Sequence, residues 1–262
     1  WEKSVQSNVY VSMRLAEVWK MAKDAGFSEK DLSIDIKMLA SYLQEQLAQM
    51  KDCGNEEKLE VCRVLSLLGE NVDENFLKEV YSDEKSSVTA LALAGLVTKD
   101  SALSSVCAEK IRTYIRPTAR GVDISVFEND VVTPYERIIV GFDKLSRLSR
   151  TLELFVQENP NDEMIARVLF TLLENQKCGY WRDLSVSSVV LNAVAKVIKN
   201  YNTENVDLST KATLDGKKIA TGNFKGSSAT PVNVVMDTKA LDEFEKDKTV
   251  IKTKTLIIKQ IF

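Results

Sequence analysis

The sequence predicts an α+β chain that is predominantly helical, with a small antiparallel β segment at its C-terminal end. Three observations carry this. Apolar residues recur three and four positions apart in most stretches up to Tyr201. Glycine and proline punctuate those stretches at short intervals. At Val206 the period drops to two, as in a strand.

Val5, Val9, Ser12, Met13 and Ala16 share one helical face, with Trp19 close by, and Gly26 ends the run. Ser28 and Asp31 resemble a capping start for a second helix, which places Leu32, Ile36, Leu39, Leu43, Leu47 and Met50 on one side. "DCGN" at 52–55 is a turn. Leu59, Cys62, Leu65 and Leu68 form the next stripe, closed by Gly69, and Phe76, Leu77 and Val80 mark another. "SSVTALALAGLV" at 86–97 is a small-residue helix suited to close approach by a neighbour. Ala102 to Ile115 continues as helix until Pro117 stops it.

Residues 118–133 lose the helical period and suit a short strand or an ordered excursion. Thr133-Pro134-Tyr135-Glu136 reads as a helix start, followed by Ile138–Leu148 and Leu152–Val156. Asn159-Pro160-Asn161-Asp162 is a turn with a cap, and Met164, Ile165, Val168, Leu169, Leu172 and Leu173 form the next stripe. The corner at Gly179, Tyr180 and Trp181 precedes a last helix with Val186, Val189, Val190, Ala193 and Val194 on one face. Short connections make successive helices neighbours. Hairpins paired around a common centre make an α/α toroid, and a curved solenoid is the competing arrangement. No fixed short repeat supports a TPR or HEAT array.

From Val206 to Leu214 alternate residues share a face, Asp215-Gly216 is a hairpin turn, and Ile219–Thr221 returns. Val232, Val234 and Met236 alternate again, and Thr249–Phe262 is β-branched and strand-like. The expected division is therefore a helical part at 1–203 and a β segment at 204–262. So short a β segment buries too little for an independent sandwich. It either leans on the helical part or is completed by strands from elsewhere.

Composition narrows the chemistry. The apolar share is 44%, the charged share 28%, and the formal net charge −3. With no basic cluster interleaved with aromatics, nucleic acid is not an expected partner. No apolar run is long enough for a membrane span. The chain starts at Trp1 and is expected to be a mature product or an excised piece. Histidine is absent, which removes the commonest general base and zinc ligand. No two of Cys53, Cys62, Cys107 and Cys178 form a C-x-x-C pair, so no metal site is expected. A Cys53–Cys62 bridge is open to sequence.

No catalytic or cofactor-binding residue is assigned. Tyr42-Leu43-Gln44-Glu45-Gln46 imitates the end of a Cys-x-Glu-Gln internal thioester, but Leu43 stands in the cysteine's place, and the stretch reads as the polar face of a helix. Asp162-Glu163 reads as a first-turn carboxylate pair favoured by the helix dipole. Arg112, Arg116 and Arg120 imitate a phosphate clamp, but the first two are spaced as a solvated helix edge. Tyr180 and Trp181 read as a packed corner rather than a ligand groove.

Several stretches carry a resemblance to bacterial alpha-macroglobulin-like proteins: Trp1-Glu2 with "NVYVSMRLAEVWKMAKDAGFS", then "MLASYLQEQL", then "NPNDEMIARVLFTLLENQKCGYWRDLSVSSVVLNAVAKVIKNY", then "VDLSTKATLDGKKIATGNF". The resemblance implies an incomplete α/α toroid of the thioester-domain type, inserted into a CUB-type β domain. It would explain why strands follow the last helix. It implies a thioester, where the parent has one, outside this chain and upstream of Trp1. It further implies a non-catalytic scaffold segment of a protease trap, with target proteases and neighbouring macroglobulin-type β domains as partners, and a periplasmic or cell-surface, lipid-anchored location. The alternatives are a thioester-less adhesion module of the same fold and a toroid-type glycosidase or cyclase.

Overall fold

The computed structural model describes residues 8–124, 143–200, 207–214, 217–225 and 256–261. The chain divides into two compact units, Trp1–Asn200 and Tyr201–Phe262, against an expected change at 203/204. It is mostly helical with small antiparallel sheets. None of the described helices is long and apolar enough to cross a membrane.

In the first unit, helix α1 (Val9–Asp24) starts where Asn8 Oδ1 accepts the Tyr10 and Val11 amides, and buries Met13, Ala16 and Trp19. The second expected helix is in fact two. A single turn, α2 (Glu29–Leu32), is held by the reciprocal Ser28–Asp31 capping box and halted by Ser33 at φ 48°. Asp35 then caps α3 (Ile36–Gln49), accepting the Lys37 and Met38 amides. Ser28 and Asp35, seven residues apart, each cap a helix, and this splits the expected one.

Helices α4 (Asn55–Leu67) and α5 (Glu74–Ser82) follow as expected, with Gly69 at φ 87° between them. Helix α6 (Val88–Val97) is apolar on every face and is wrapped by α4, α5, α7 (Ser101–Arg112) and α8 (Lys144–Glu158). Gly95 makes that possible: a Cβ there would sit 2.9 Å from Leu154 and 3.1 Å from Cys107. Helix α7 (Ser101–Arg112) stops earlier than its periodicity suggests. Ile115–Pro117 becomes strand β1, paired antiparallel with β2 (Val122–Ile124). Pro117 thus closes a hairpin strand rather than a helix. The rest of the excursion, the Thr133-Pro134-Tyr135-Glu136 start and the first part of Ile138–Leu148 lie outside the described residues.

Helix α8 (Lys144–Glu158) is capped by Asp143, and its residues from Ser146 to Val156 are all buried. Helix α9 (Glu163–Glu174) starts at Asp162, and α10 (Leu184–Asn200) follows the Gly179 corner. The β1–β2 hairpin is bonded to α9 by two side chains: Val122 N–H donates to Thr171 Oγ1 at 2.8 Å, and Arg167 Nη1 donates to Thr118 O at 3.0 Å. The main core gathers around α6 and α8, and a second cluster joins α1, α3 and α4.

The second unit holds strands β3 (Asp207–Leu214), β4 (Lys217–Lys225) and β5 (Leu256–Ile261) in one antiparallel sheet of order β4-β3-β5. The β3–β4 register places Leu214 opposite Lys217, so the connection is the expected two-residue Asp215-Gly216, itself outside the described residues. The 232–236 alternation also lies outside them.

Candidate functional site

Charge, not apolar surface, marks the most distinctive place in the first unit. Helix α8 reads as polar as any surface helix, yet Arg150 and Glu153 are buried within it. Burying an isolated charge is prohibitive, so each must find a counter-charge. Arg150 Nε donates to Glu60 Oε1 of α4 at 2.9 Å, and its Nη1 donates to Glu153 Oε1 at 2.8 Å. Arg63, also on α4, donates from Nε to Glu60 Oε2 at 2.7 Å and from Nη2 to Glu17 of α1. Arg14 donates to the other Glu17 oxygen at 2.6 Å. Lys196 of α10 closes the chain of charges on Glu153 Oε2 at 2.5 Å. Four helices, α1, α4, α8 and α10, are therefore tied through alternating carboxylates and cations.

The electrostatics fix the protonation states. Burial alone would push the Glu17 carboxyl up, but the Arg63, Arg14 and Arg150 guanidiniums outweigh it and bring the carboxyl down to about 2. Burial likewise opposes ionisation of Glu60 and Glu153. Arg150 and Arg63 nonetheless hold Glu60 below the ordinary carboxylate range, and Arg150 and Lys196 do the same for Glu153. All three are acceptors at neutral pH and none is a poised proton donor. A carboxyl acting as general acid needs the opposite environment, an apolar wall without a cation.

Beside the network lies a cavity of about 450 Å³. Its walls include Glu17, Arg63, Arg150 and Glu153, with Met21 from α1 and Lys196 from α10. Polar groups face it, but among the described residues no three His, Cys, Asp or Glu side chains come together to hold a metal ion.

The positions singled out from sequence fall elsewhere. Leu43 is fully buried in the α1–α3–α4 cluster, with Glu45 exposed beside it, and Gln44 donates to Glu70 at 2.9 Å. Tyr42 and Gln46 are half-buried on the same helix. Asp162 accepts the Met164 amide and pairs with Arg112, while Glu163 is exposed. The three arginines are not a clamp: Arg112 stacks 4.5 Å from the Phe155 ring centre and pairs with Glu109 and Asp162, while Arg116 and Arg120 are exposed. Cys53 and Cys62 are free thiols, so no bridge joins them. Burial pushes the Cys62 thiol up to about 12.

The Gly179 corner is a tight turn in which Cys178 and Gly179 take positive φ and Lys177 N–H donates to Tyr180 O at 2.9 Å. Trp181 is 3% exposed, and its Nε1–H donates to Leu172 O at 2.6 Å. Tyr180 is 52% exposed. One aromatic therefore plugs the α9–α10 corner, and the other does not. Sequence reasoning missed the charge network altogether. The only signal was the i, i+3 pairing of Arg14 with Glu17, of Glu60 with Arg63 and of Arg150 with Glu153, a pattern equally common on solvated faces.

No protein-family model matches this chain, and no curated protein matches it.

Proposed function

We propose that this chain is a non-catalytic scaffold segment of an alpha-macroglobulin-like protease trap. The observation that carries the reading is the succession of packed helices, ended by the Trp181 corner and α10, giving way to a unit of antiparallel strands. That succession follows the order of the sequence stretches that resemble the family. In this reading the helical hairpins form part of an α/α toroid, and the strands belong to a CUB-type domain.

The chemistry of the interior supports a scaffold. Glu17, Glu60 and Glu153 are tied to cations and held ionised, which suits a rigid frame and not acid–base work. Leu43 fills the place a thioester cysteine would need in the Tyr42–Gln46 stretch. A thioester, where the parent has one, is therefore contributed from outside this chain. The partners are target proteases, engaged by the whole parent, and neighbouring macroglobulin-type β domains. The location is periplasmic or cell-surface.

The test is to incubate the parent protein with a broad-specificity protease and follow cleavage of a large protein substrate and of a small chromogenic one. A trap suppresses the first and spares the second. Methylamine pretreatment removes any covalent adduct if a thioester is present. Degradation of the parent with both protease activities intact would overturn the proposal.

A further inference from the structure

Another cavity, of about 340 Å³, lies where the end of α3 meets α4 and the start of α5. Its apolar lining is Leu47 and Met50 at the α3 end, Cys62 of α4 and Phe76 of α5. Cys62 is 1% exposed and belongs to the main core, and Leu47 packs against both core clusters. The cavity thus reaches from the surface to the joint between the two cores. A volume of this size with an apolar lining is that of a small-molecule pocket.

Three charged side chains line the same cavity: Lys51 just past α3, Lys58 of α4 and Asp73 at the start of α5. Among the described residues none of the three forms an ion pair. Lys58 Nζ donates to the Lys51 carbonyl oxygen at 3.4 Å and reaches no carboxylate. Asp73 gives one oxygen to the Asn75 amide at 2.9 Å as the cap of α5, and its other oxygen meets no donor among the described residues. The Asp73 charge adds to burial in raising the Cys62 thiol, so the carboxylate stands close to the apolar lining.

Each of these features selects part of a ligand. The lysines take an anion and Asp73 takes a cation, and a charge-assisted hydrogen bond is stronger than a neutral one. A ligand with a carboxylate alone would bring that charge beside Asp73. A ligand with an amine alone would meet two lysines. Like-charge placement of this kind selects against both. A molecule that carries both charges on one carbon, with an apolar chain beyond, answers all three groups and the lining.

We propose that this cavity binds a free α-amino acid with an apolar side chain of leucine or methionine size. Its carboxylate meets Lys51 and Lys58, its ammonium meets the open oxygen of Asp73, and its side chain lies against Leu47, Met50, Cys62 and Phe76. The inference rests on the cavity and its unpaired charges and does not depend on the protease-trap reading.

The probe is carbon-13-labelled L-leucine, titrated into the full chain and followed by NMR. Saturable binding is expected. As competitors, 4-methylpentanoate, which lacks the ammonium, and isopentylamine, which lacks the carboxylate, should each bind on the order of tenfold more weakly than leucine. Asp73→Asn keeps a capping side chain and removes the charge. It should weaken leucine on the order of tenfold and leave 4-methylpentanoate no weaker. Lys51→Met together with Lys58→Met should weaken leucine by the same order, and Ala48→Phe, which fills the cavity from its α3 wall, should abolish binding. Lys37→Met, outside the cavity, leaves binding unchanged. Circular dichroism checks that each variant stays folded, and the competitor series on the unaltered chain stands whatever the variants do. Absence of saturable binding, 4-methylpentanoate or isopentylamine binding as tightly as leucine, or leucine binding untouched by Asp73→Asn, by the double lysine variant or by Ala48→Phe would overturn the proposal.

Discussion

Arg150 of α8 and Glu60 of α4 stand ninety residues apart in the chain and meet in the interior, guanidinium Nε 2.9 Å from carboxylate oxygen. A second contact, Nη2 to the other oxygen at 3.3 Å, makes the pair two-pronged. Both side chains are almost wholly buried. Such a pair is costly to desolvate and more costly to break, because removing one partner strands the other.

Replacing Arg150 with Met should therefore destabilise the first unit by about 3–5 kcal/mol. Replacing Glu60 with Leu in the same chain should cost less than it does alone, since its contact with Arg150 is already gone and only its pair with Arg63 is left to lose. Urea midpoints of the two single variants and the double, compared in a cycle, measure the coupling.

Acid should loosen the same network. The Glu17 carboxyl lies at about 2 in the folded chain against an ordinary 4.5, and those of Glu60 and Glu153 are shifted in the same direction. Groups depressed by folding stabilise the fold fully above their unfolded value, and that stability is lost as pH falls through the folded one. The urea midpoint should hold steady down to about pH 4.5 and then fall steeply toward about pH 2. Glu17→Gln should flatten that descent while lowering the plateau.

At the hairpin, the backbone approaches a side chain so closely that no Cβ fits. A Cβ at Gly121 would lie 2.3 Å from Thr171 Oγ1, the atom that accepts the Val122 amide. Gly121→Ala should cost about 1–3 kcal/mol as an overpacking change. Near-zero loss of thermal stability would show that the β1–β2 hairpin is not seated on α9 through Thr171.

At the corner, size and hydrogen bonding separate. Trp181→Ala removes a buried aromatic and should cost about 3–5 kcal/mol. Trp181→Phe keeps most of the bulk but takes the 2.6 Å donor from Leu172 O, which retains the Asn175 amide, and should cost about 0.5–1.5 kcal/mol. Tyr180→Ala, on the exposed neighbour, should change stability by less than about 0.5 kcal/mol.

Thiol labelling should divide the four cysteines. Cys178 is exposed and should react with a maleimide at once in the native chain. Cys62 and Cys107 are buried, and burial raises their thiols to about 12 and about 11, so they should react only on unfolding. Mass spectrometry of partially labelled protein reads the order.

Much of this architecture was legible in the sequence because its signals are local. Gly69, Asp162 and Gly179 mark element ends wherever they occur, and the change of period after Tyr201 needs no tertiary knowledge. The misses come from choices that tertiary contacts decide. Ser33 and Asp35 could have been ordinary helical residues, but the chain turns at one and caps at the other. Ile115 continues the apolar stripe of α7, yet pairs with Ile124 in a strand. The charge network was illegible for a stronger reason. Nothing in "KLSRLSRTLELF" says that its polar side faces Glu60 and Lys196 rather than water. That depends on residues ninety positions before and forty-three after.

A rigid frame requires three buried carboxyls to stay ionised, and carbon-13 NMR of glutamate-labelled protein reads their protonation directly. Followed between about pH 8 and pH 4.5, the side-chain resonances of Glu17, Glu60 and Glu153 should stay at the ionised position, as counter-charges in a frame require. A resonance among them that titrates between about pH 5 and 7 would reveal a proton donor poised for catalysis and contradict the scaffold reading.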